Sequence, residues 1–170
     1  MVAFEGHNAP YSAPVKLPVR EVPSAWIDYN GHMNVAYYVM AIDKAMDVFL
    51  EQELGVGETH VARVRQGPYA LQMQVHYLGE ILEGERFYCS VRLIDCDTKR
   101  IHVFVELFKA DGDELAATYE QLIVNVDLET RRSTPYPEWA QARMRDMLAA
   151  HARLERPTQL GAIIGIRRKG

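Results

Sequence analysis

The 170 residues, 48% hydrophobic and 25% charged, have the size and composition of one folded domain, which excludes a disordered or fibrous chain. Nineteen Lys and Arg against 23 Asp and Glu leave a net charge of −4, so we expect no nucleic-acid partner, because such binding depends on cations that neutralise phosphates. Two cysteines are too few for a disulfide scaffold, and the lack of a signal-peptide pattern or of ~18 consecutive apolar residues predicts a cytoplasmic protein that contacts no membrane.

The chain begins with an irregular stretch. Residues 1–16 show no period and are interrupted by prolines, so we predict an irregular N-terminal arm there. Residues 17–27 have a weakly extended pattern. Because Pro18 and Pro23 cannot donate ladder hydrogen bonds, we expect this segment to form an edge or irregular strand.

A long helix is predicted from Val35 to Leu54. Apolar residues recur there at spacings of three and four. Asn34 suits the N-cap position, and Gly55 suits the end of the helix. Additional alanine and tyrosine residues widen the apolar face, so we expect the helix to be buried on more than one side.

After a linking loop at residues 55–68, the apolar period changes to two, as in half-buried strands. The pattern predicts four antiparallel strands joined by short turns that contain Asp and Gly, at residues 69–78, 87–93, 101–108 and 115–126. A last helix is predicted at residues 138–154. We therefore expect an α+β fold whose sheet curls around the long helix, and whose edge strands favour pairing with a second copy of the chain.

The polar segment before the long helix is the best candidate for a functional site. Asp28, His32 and Asn34 place a carboxylate, an imidazole and an amide within seven residues. They precede a helix start, whose unpaired N–H groups can hold an anion or polarise a carbonyl oxygen. The same segment also suits a purely structural turn, in which Asn34 caps the helix and Gly31 adopts a positive φ. Spacing alone leaves both interpretations open.

The segment WIDYNGHMNVAYY, residues 26–38, resembles the Asp-x-x-Gly-His-x-Asn-Asn-x-x-Tyr signature of hotdog-fold acyl-CoA thioesterases, the 4-hydroxybenzoyl-CoA thioesterase-like group. The order of the predicted elements agrees with that fold, a long central helix wrapped by a curved antiparallel sheet of about five strands, here with an added C-terminal helix. The resemblance places the hotdog domain at residues 17–130. The arm at 1–16 precedes it, and residues 131–170, a helix and a basic tail, are expected to pack on the same domain.

The resemblance also implies a chemistry and an assembly. Hydrolysis of an acyl-CoA by this family needs neither a metal nor an organic cofactor, and the protein would be a homodimer or homotetramer with active sites at the subunit interface. More narrowly, residues 26–38 and the segment DTKRIH at residues 97–102 resemble the betainyl-CoA thioesterases of carnitine degradation. Val35 departs from the general signature, because many relatives carry a second Asn there.

Carried over by position, Asp28 would be the catalytic carboxylate. It would act either as a nucleophile on the thioester carbonyl or as a base that activates water. His32 and Asn34 would assist it, and Gly31 would contact the substrate. Backbone N–H groups at residues 34–36, or strand groups of a partner subunit, would stabilise the oxyanion.

Aromatic and acidic residues near this segment have two interpretations each. Trp26, Tyr29, Tyr37 and Tyr38 are either packing residues or a cage for a trimethylammonium group, which aromatic rings attract. Asp43 is either solvated or, together with Asp47, favours a cationic acyl group.

The sequence leaves two other functions open and also bears on the ligands. An enoyl-CoA hydratase or dehydratase of the same fold and a non-catalytic acyl-CoA-binding module are the alternatives. Scattered histidines without ligand spacing predict no metal site. The phosphates of CoA require nearby cations, and six are candidates: Arg63, Arg65, Lys99, Arg100, Arg131 and Arg132.

Overall fold

The computed structural model describes residues 6–166, so the N-terminal residues 1–5 and the basic residues 167–169 of the predicted tail lie outside it. The helices are α1 (Val35–Phe49), α2 (Glu58–Val64) and α3 (Glu138–His151). The strands are β1 (Val15–Lys16), β2 (Arg20–Glu21), β3 (Gln66–Tyr77), β4 (Arg86–Cys96), β5 (Arg100–Lys109), β6 (Glu114–Asp127) and β7 (Arg132–Ser133). These elements confirm the predicted α+β fold.

The long helix begins and ends where the sequence predicts. Asn34 caps α1 by accepting the Ala36 N–H, and a π-helical turn (Leu50–Leu54) extends it to Gly55, which adopts a left-handed φ of 74°. One broad face is buried in the core: Tyr38, Ala41, Ile42, Ala45, Met46 and Phe49. The opposite face, with Val35 and Met40, is exposed. The expectation that the helix is buried on several sides is therefore wrong for the single chain.

An antiparallel sheet in the order β1-β4-β5-β6-β3 wraps this helix, with β2 on β4 and β7 on β6. The four long strands are those that the period of two predicts. The short edge strands β1 and β2 lie where the sequence predicts a fifth strand. β3 pairs with β6 from Gln66 opposite Asp127 to Tyr77 opposite Ala117. The inward-facing side chains of β4, β5 and β6 share one hydrophobic core with α1 and α3.

The two outer edges of the sheet differ in what covers them. The outer edge of β4 is covered by β2 and β1, and further along by α3, where the Leu93 N–H donates to His151 Nδ1 over 2.8 Å. Nε2 of His151 donates to the Ser12 carbonyl, also over 2.8 Å. The outer edge of β3 pairs with no strand within residues 6–166. Among the described residues, the outer edge of β3 is therefore the one long edge that is left open.

Four segments differ from the prediction. In the extended segment predicted at 17–27, only Arg20–Glu21 forms a strand, and Ser24–Trp26 forms a 3₁₀ helix. The predicted loop at 55–68 contains α2, which is too short for its period to stand out. Val15–Lys16 of the predicted irregular arm forms β1. In β3, a bulge between Ala70 and Gln72 interrupts the alternation, and the apolar side chains of Tyr69, Leu71, Met73 and Tyr77 are half-exposed.

Candidate active site

A tight loop brings the Asp28 and Asn34 side chains into contact, while the His32 ring contacts the Met33 carbonyl. The Asp28 N–H donates to the His32 carbonyl over 3.1 Å, and the Gly31 N–H donates to the Asp28 carbonyl over 3.0 Å. Gly31 has a φ of 84°, a conformation that residues with a Cβ adopt at a cost. The loop therefore holds Asp28 next to the start of α1.

The Asp28 carboxylate is half-buried and accepts two hydrogen bonds. Oδ1 accepts the Asn30 N–H over 2.8 Å, and Oδ2 accepts Asn34 Nδ2 over 3.3 Å. Asn34 also caps α1, since its Oδ1 accepts the Ala36 N–H over 3.0 Å. The capping and the functional interpretation of Asn34 are thus compatible, because one amide serves both.

The first N–H groups of α1 differ in their hydrogen bonding. Ala36 N–H donates to the Asn34 side chain, and Tyr37 N–H donates to the Asn34 carbonyl over 2.9 Å. The Val35 N–H has no acceptor among residues 6–166. It is therefore a free donor at the positive end of the helix dipole, one residue after Asn34.

A cavity of about 330 Å³ lies beside this helix start. Its lining residues are His32, Met33, Val35, Tyr38, Tyr77, Gly79 and Glu80. The His32 ring places Nδ1 3.2 Å from the Met33 carbonyl, so Nδ1 is the donor and Nε2 is left to meet a ligand. The lining of the cavity thus includes the His32 imidazole, the Tyr38 and Tyr77 rings and the Glu80 carboxylate, whereas Asp28 lies beside the cavity and not in its lining.

Two tyrosines form the aromatic wall of the cavity. The rings of Tyr38 and Tyr77 meet edge to face at 5.3 Å. The Tyr38 hydroxyl donates to the Gly79 carbonyl and accepts the Ile81 N–H, and the Tyr77 hydroxyl donates to the Val35 carbonyl over 3.2 Å. Burial raises the pKa of both hydroxyl groups. These bonds join the end of β3 to the start of α1.

The four aromatic residues that the sequence suggests as a cage do not surround one cavity. Trp26 stacks on Tyr37 at 5.4 Å, with ring planes 9° apart. Tyr29 is 96% exposed, and Tyr38 lines the cavity. Tyr77 and Glu80 were missed by sequence analysis, because nothing in their local pattern shows that the end of β3 packs against the start of α1.

The remaining candidates lie further away. Asp43 is on the exposed face of α1, eight residues after Val35, and partial burial together with Asp47 raises its pKa. The six candidate cations all lie at the other end of the sheet, near the ends of β4 and β6 and the starts of β3 and β5. In the described part of the chain, no three His, Cys, Asp or Glu side chains converge to hold a metal ion, and no helix is both long and apolar enough to cross a bilayer.

Sequence comparison gives a family and several relatives. The family model of the thioesterase-like superfamily matches residues 22–144. The chain is 31% identical, over 92% of its length, to an L-carnitine dehydrogenase/betainyl-CoA thioesterase of Rhizobium meliloti, and it covers only 31% of that protein. It is 28% identical to a betainyl-CoA thioesterase of Pseudomonas aeruginosa, covering 83% of this chain and 88% of that one. The chain thus spans about a third of the length of the first of these relatives.

Solved structures show the same architecture. A Staphylococcus aureus protein characterised in complex with CoA superimposes with a TM-score of 0.82 at 27% identity, over 95% of this chain and all of that one. A putative thioesterase of Pseudomonas putida KT2440 gives a TM-score of 0.76 at 24% identity, over 93% of this chain and all of that one. The second similarity shows the fold alone.

Proposed function

The chain belongs to the thioesterase-like superfamily, and from this premise we propose that it hydrolyses the thioester bond of an acyl-CoA. One observation carries the proposal. The half-buried Asp28 carboxylate, held by Asn30 and Asn34, lies at a helix start with a free Val35 N–H and an adjoining cavity. The CoA complex of the Staphylococcus aureus protein supports CoA thioesters as the substrate class.

The proposed mechanism follows from these positions. The thioester oxygen accepts the Val35 N–H, and the positive end of the α1 dipole stabilises the negative charge that develops on it. Asp28 either attacks the carbonyl carbon, forming a mixed anhydride that water then cleaves, or removes a proton from the attacking water. Both routes expel CoA as a thiolate and yield the free acid. Asn34 positions Asp28, and His32 Nε2, which carries no proton while Nδ1 donates to the Met33 carbonyl, is available to accept a hydrogen bond from the substrate.

The proposed substrate is betainyl-CoA, in agreement with the names of the relatives at 31% and 28% identity. Its trimethylammonium group is separated from the thioester carbonyl by one methylene, so it must bind close to the Val35 N–H. There the cavity offers the Tyr38 and Tyr77 rings and the Glu80 carboxylate, groups that attract a quaternary ammonium. Asp43 lies about 12 Å further along α1, so we propose that it attracts the trimethylammonium group more weakly and over a longer distance.

We further propose that the enzyme is a homodimer formed by antiparallel pairing of two β3 strands. None of the twelve residues of β3 is Asp, Glu, Lys or Arg, so no charge protects this edge from pairing, and only Pro68 and the bulge at Leu71 interrupt it. Tyr69, Leu71 and Met73 are also half-exposed there. Because Tyr77 ends β3 and lines the cavity, the active site would lie at the subunit interface.

A thiol-release assay over a panel of acyl-CoAs tests the function. We expect betainyl-CoA to be cleaved and Asp28→Asn to reduce kcat by about a hundredfold or more. Asp146→Asn, an exposed carboxylate on α3, is the matched control and should retain full activity. CoA binding without thiol release by any substrate would instead indicate a binding module. Consumption of an enoyl-CoA with its thioester intact would indicate a hydratase.

A further inference from the structure

The chain continues beyond α3 and crosses the outer face of the sheet, the face that points away from α1. At β4, Arg92 Nη1 donates to the Glu155 carbonyl over 2.6 Å. At β6, Glu120 Oε2 accepts the Gly161 N–H over 2.7 Å. Residues 155–166, which we call the terminal strap, therefore run across the strands from β4 to β6.

The terminal strap covers the middle of the outer face and is anchored there. Arg92 and Glu120 are the cross-strand neighbours of Phe104 on its two sides. Phe104 is only 1% exposed although it does not belong to the core shared with α1, so the strap buries it. Nε2 of His102 donates to Oε1 of the same Glu120 over 2.8 Å. Because the strap is already held in place, its far end loses little conformational entropy when it binds a partner.

The far end of the strap lies at the open edge of the sheet. The Ala162 carbonyl accepts Gln74 Nε2 over 2.6 Å, and Gln74 belongs to the edge strand β3. Ile163, Ile164 and Ile166 follow, and they are 90%, 89% and 87% exposed. Large apolar side chains that are exposed side by side mark an interaction site. This one lies at the edge where the proposed dimer forms.

A cavity of about 550 Å³ lies between the strap and β3. Its lining includes Ile163 and Ile164 of the strap, Gln72 and Met73 of β3, and Leu122 of β6. The two isoleucines do not fill it, since nearly all of their surface remains exposed in the single chain. The edge of the sheet thus offers both apolar side chains and a space that receives them.

Two-fold pairing of β3 brings a second subunit to this edge. In an isologous antiparallel pair, the start of one strand lies opposite the end of the other. With the strands paired along their lengths, Gln74, the ninth of the twelve residues of β3, faces the partner subunit's Tyr69, the fourth. Neighbouring strands are about 4.8 Å apart. Tyr69 points to the outer face, because it pairs with Val124, whose neighbour Ile123 faces the core.

We propose that the terminal strap is a dimerisation arm, whose isoleucines pass over the β3 edge and pack on the outer face of the partner subunit. Ile163, Ile164 and Ile166 are then buried against the partner subunit's Tyr69 and beside the partner's cavity. By symmetry, each subunit gives and receives one arm. The inference rests on the proposed β3 dimer and not on the reaction that the enzyme catalyses.

Sedimentation analysis of Ile163→Ser/Ile164→Ser tests the arm. Both side chains are exposed in the single chain, so their loss should leave the fold, checked by circular dichroism, unchanged. The dissociation constant of the dimer should rise at least about tenfold, because two apolar side chains no longer leave water on association. Val19→Ser, at an exposed residue between β1 and β2, is the matched control and should keep the wild-type value. An unchanged dissociation constant in the isoleucine variant would overturn the proposal.

A disulfide tests which surface receives the isoleucines. In Tyr69→Cys/Ile164→Cys, the two cysteines of one chain are separated by the five residues of β3 between Tyr69 and Gln74, about 17 Å, which is too far for a bond. We expect a covalent dimer on a non-reducing gel after mild oxidation. The wild type and both single variants should yield none. A dimeric double variant that forms no bond would contradict the proposed docking surface.

The arm and the β3 dimer can fail separately. A monomeric wild type overturns both. A wild-type dimer that Leu71→Lys dissociates but Ile163→Ser/Ile164→Ser leaves intact retains the β3 interface and refutes the arm. A wild-type tetramer that the isoleucine variant converts into dimers would show that the isoleucines join two dimers, which also refutes it. These measurements involve no turnover, so an absence of thioesterase activity bears only on the proposed function.

Discussion

The Asn34 side chain donates to the Asp28 carboxylate over 3.3 Å and at the same time caps α1. The amide thereby couples the candidate catalytic group to the helix start that carries the free Val35 N–H. One side chain makes both contacts. To separate its stabilising role from its proposed catalytic role, a substitution must keep the helix cap and remove the hydrogen bond to Asp28.

Asn34→Ser separates the two roles. Serine is as good an N-cap as asparagine, but its shorter side chain has no second donor for Asp28. We expect unfolding stability close to that of the wild type and a reduced kcat. Asn34→Ala, the comparison variant, should lose about 1 kcal/mol of stability as well. Urea unfolding and kcat measured on both variants check this, and a wild-type kcat in Asn34→Ser would show that Asp28 does not need the amide.

Glu80→Gln tests recognition of a cationic acyl group. The carboxylate lines the cavity but is exposed, so its loss should lower kcat/KM for betainyl-CoA by about two- to fivefold, because an exposed ionic contact contributes about 1 kcal/mol or less. The thioester of 3,3-dimethylbutyric acid has the same shape without the charge, and its kcat/KM should not change. Asp43→Asn should produce a smaller effect at its greater distance. Equal losses for both substrates would mean that Glu80 does not recognise charge.

Leu71→Lys tests the open edge of the sheet. Leu71 lies at the bulge of β3 and is 56% exposed, so a lysine there costs the folded monomer little but places a charge in the proposed dimer interface. We expect a monomer by sedimentation analysis, with little activity remaining. Val19→Lys, at a residue that is 53% exposed between β1 and β2, is the matched control and should remain dimeric. A dimeric Leu71→Lys would exclude β3 as the interface.

Stability should decrease below about pH 6.5 because of His151. Burial lowers the pKa of His151, and the nearby Arg92 lowers it further, although the Ser12 carbonyl has the opposite effect. The unfolded state therefore binds a proton first, so this contribution is present above the unfolded pKa and is lost as the pH falls towards the folded pKa. Protonation of Nδ1 also removes the acceptor of the Leu93 N–H.

The measurement is unfolding stability between pH 5.5 and 7.5 for the wild type and for His151→Gln, which does not titrate. We expect the variant to show a shallower dependence on pH over this range. His7 acts in the opposite sense, since its hydrogen bond to Glu53 raises its pKa and adds stability that is lost as the pH rises above 6.5, but it is largely exposed and contributes little. Identical slopes in both proteins would rule out His151 as the titrating group.

The local pattern of the sequence was enough to predict the elements of this protein. The period of apolar residues, the cap at Asn34 and the stop at Gly55 located α1 and the four long strands, because these signals act over a few neighbouring residues. The same holds for the loop from Asp28 to Asn34, whose turn residues adopt the hydrogen bonds expected of them. A seven-residue helix and a two-residue strand escaped prediction because such short elements repeat no pattern.

Only the tertiary structure decided what these elements form together. It brought Tyr77 and Glu80 to the start of α1, gathered six cations at the opposite end of the sheet, and covered the edge of β4 with His151 while leaving β3 open. Each of these features joins residues that are distant in the chain, and their contacts depend on strand order and on the packing of α1 and α3. No spacing within a single segment encodes such a relationship.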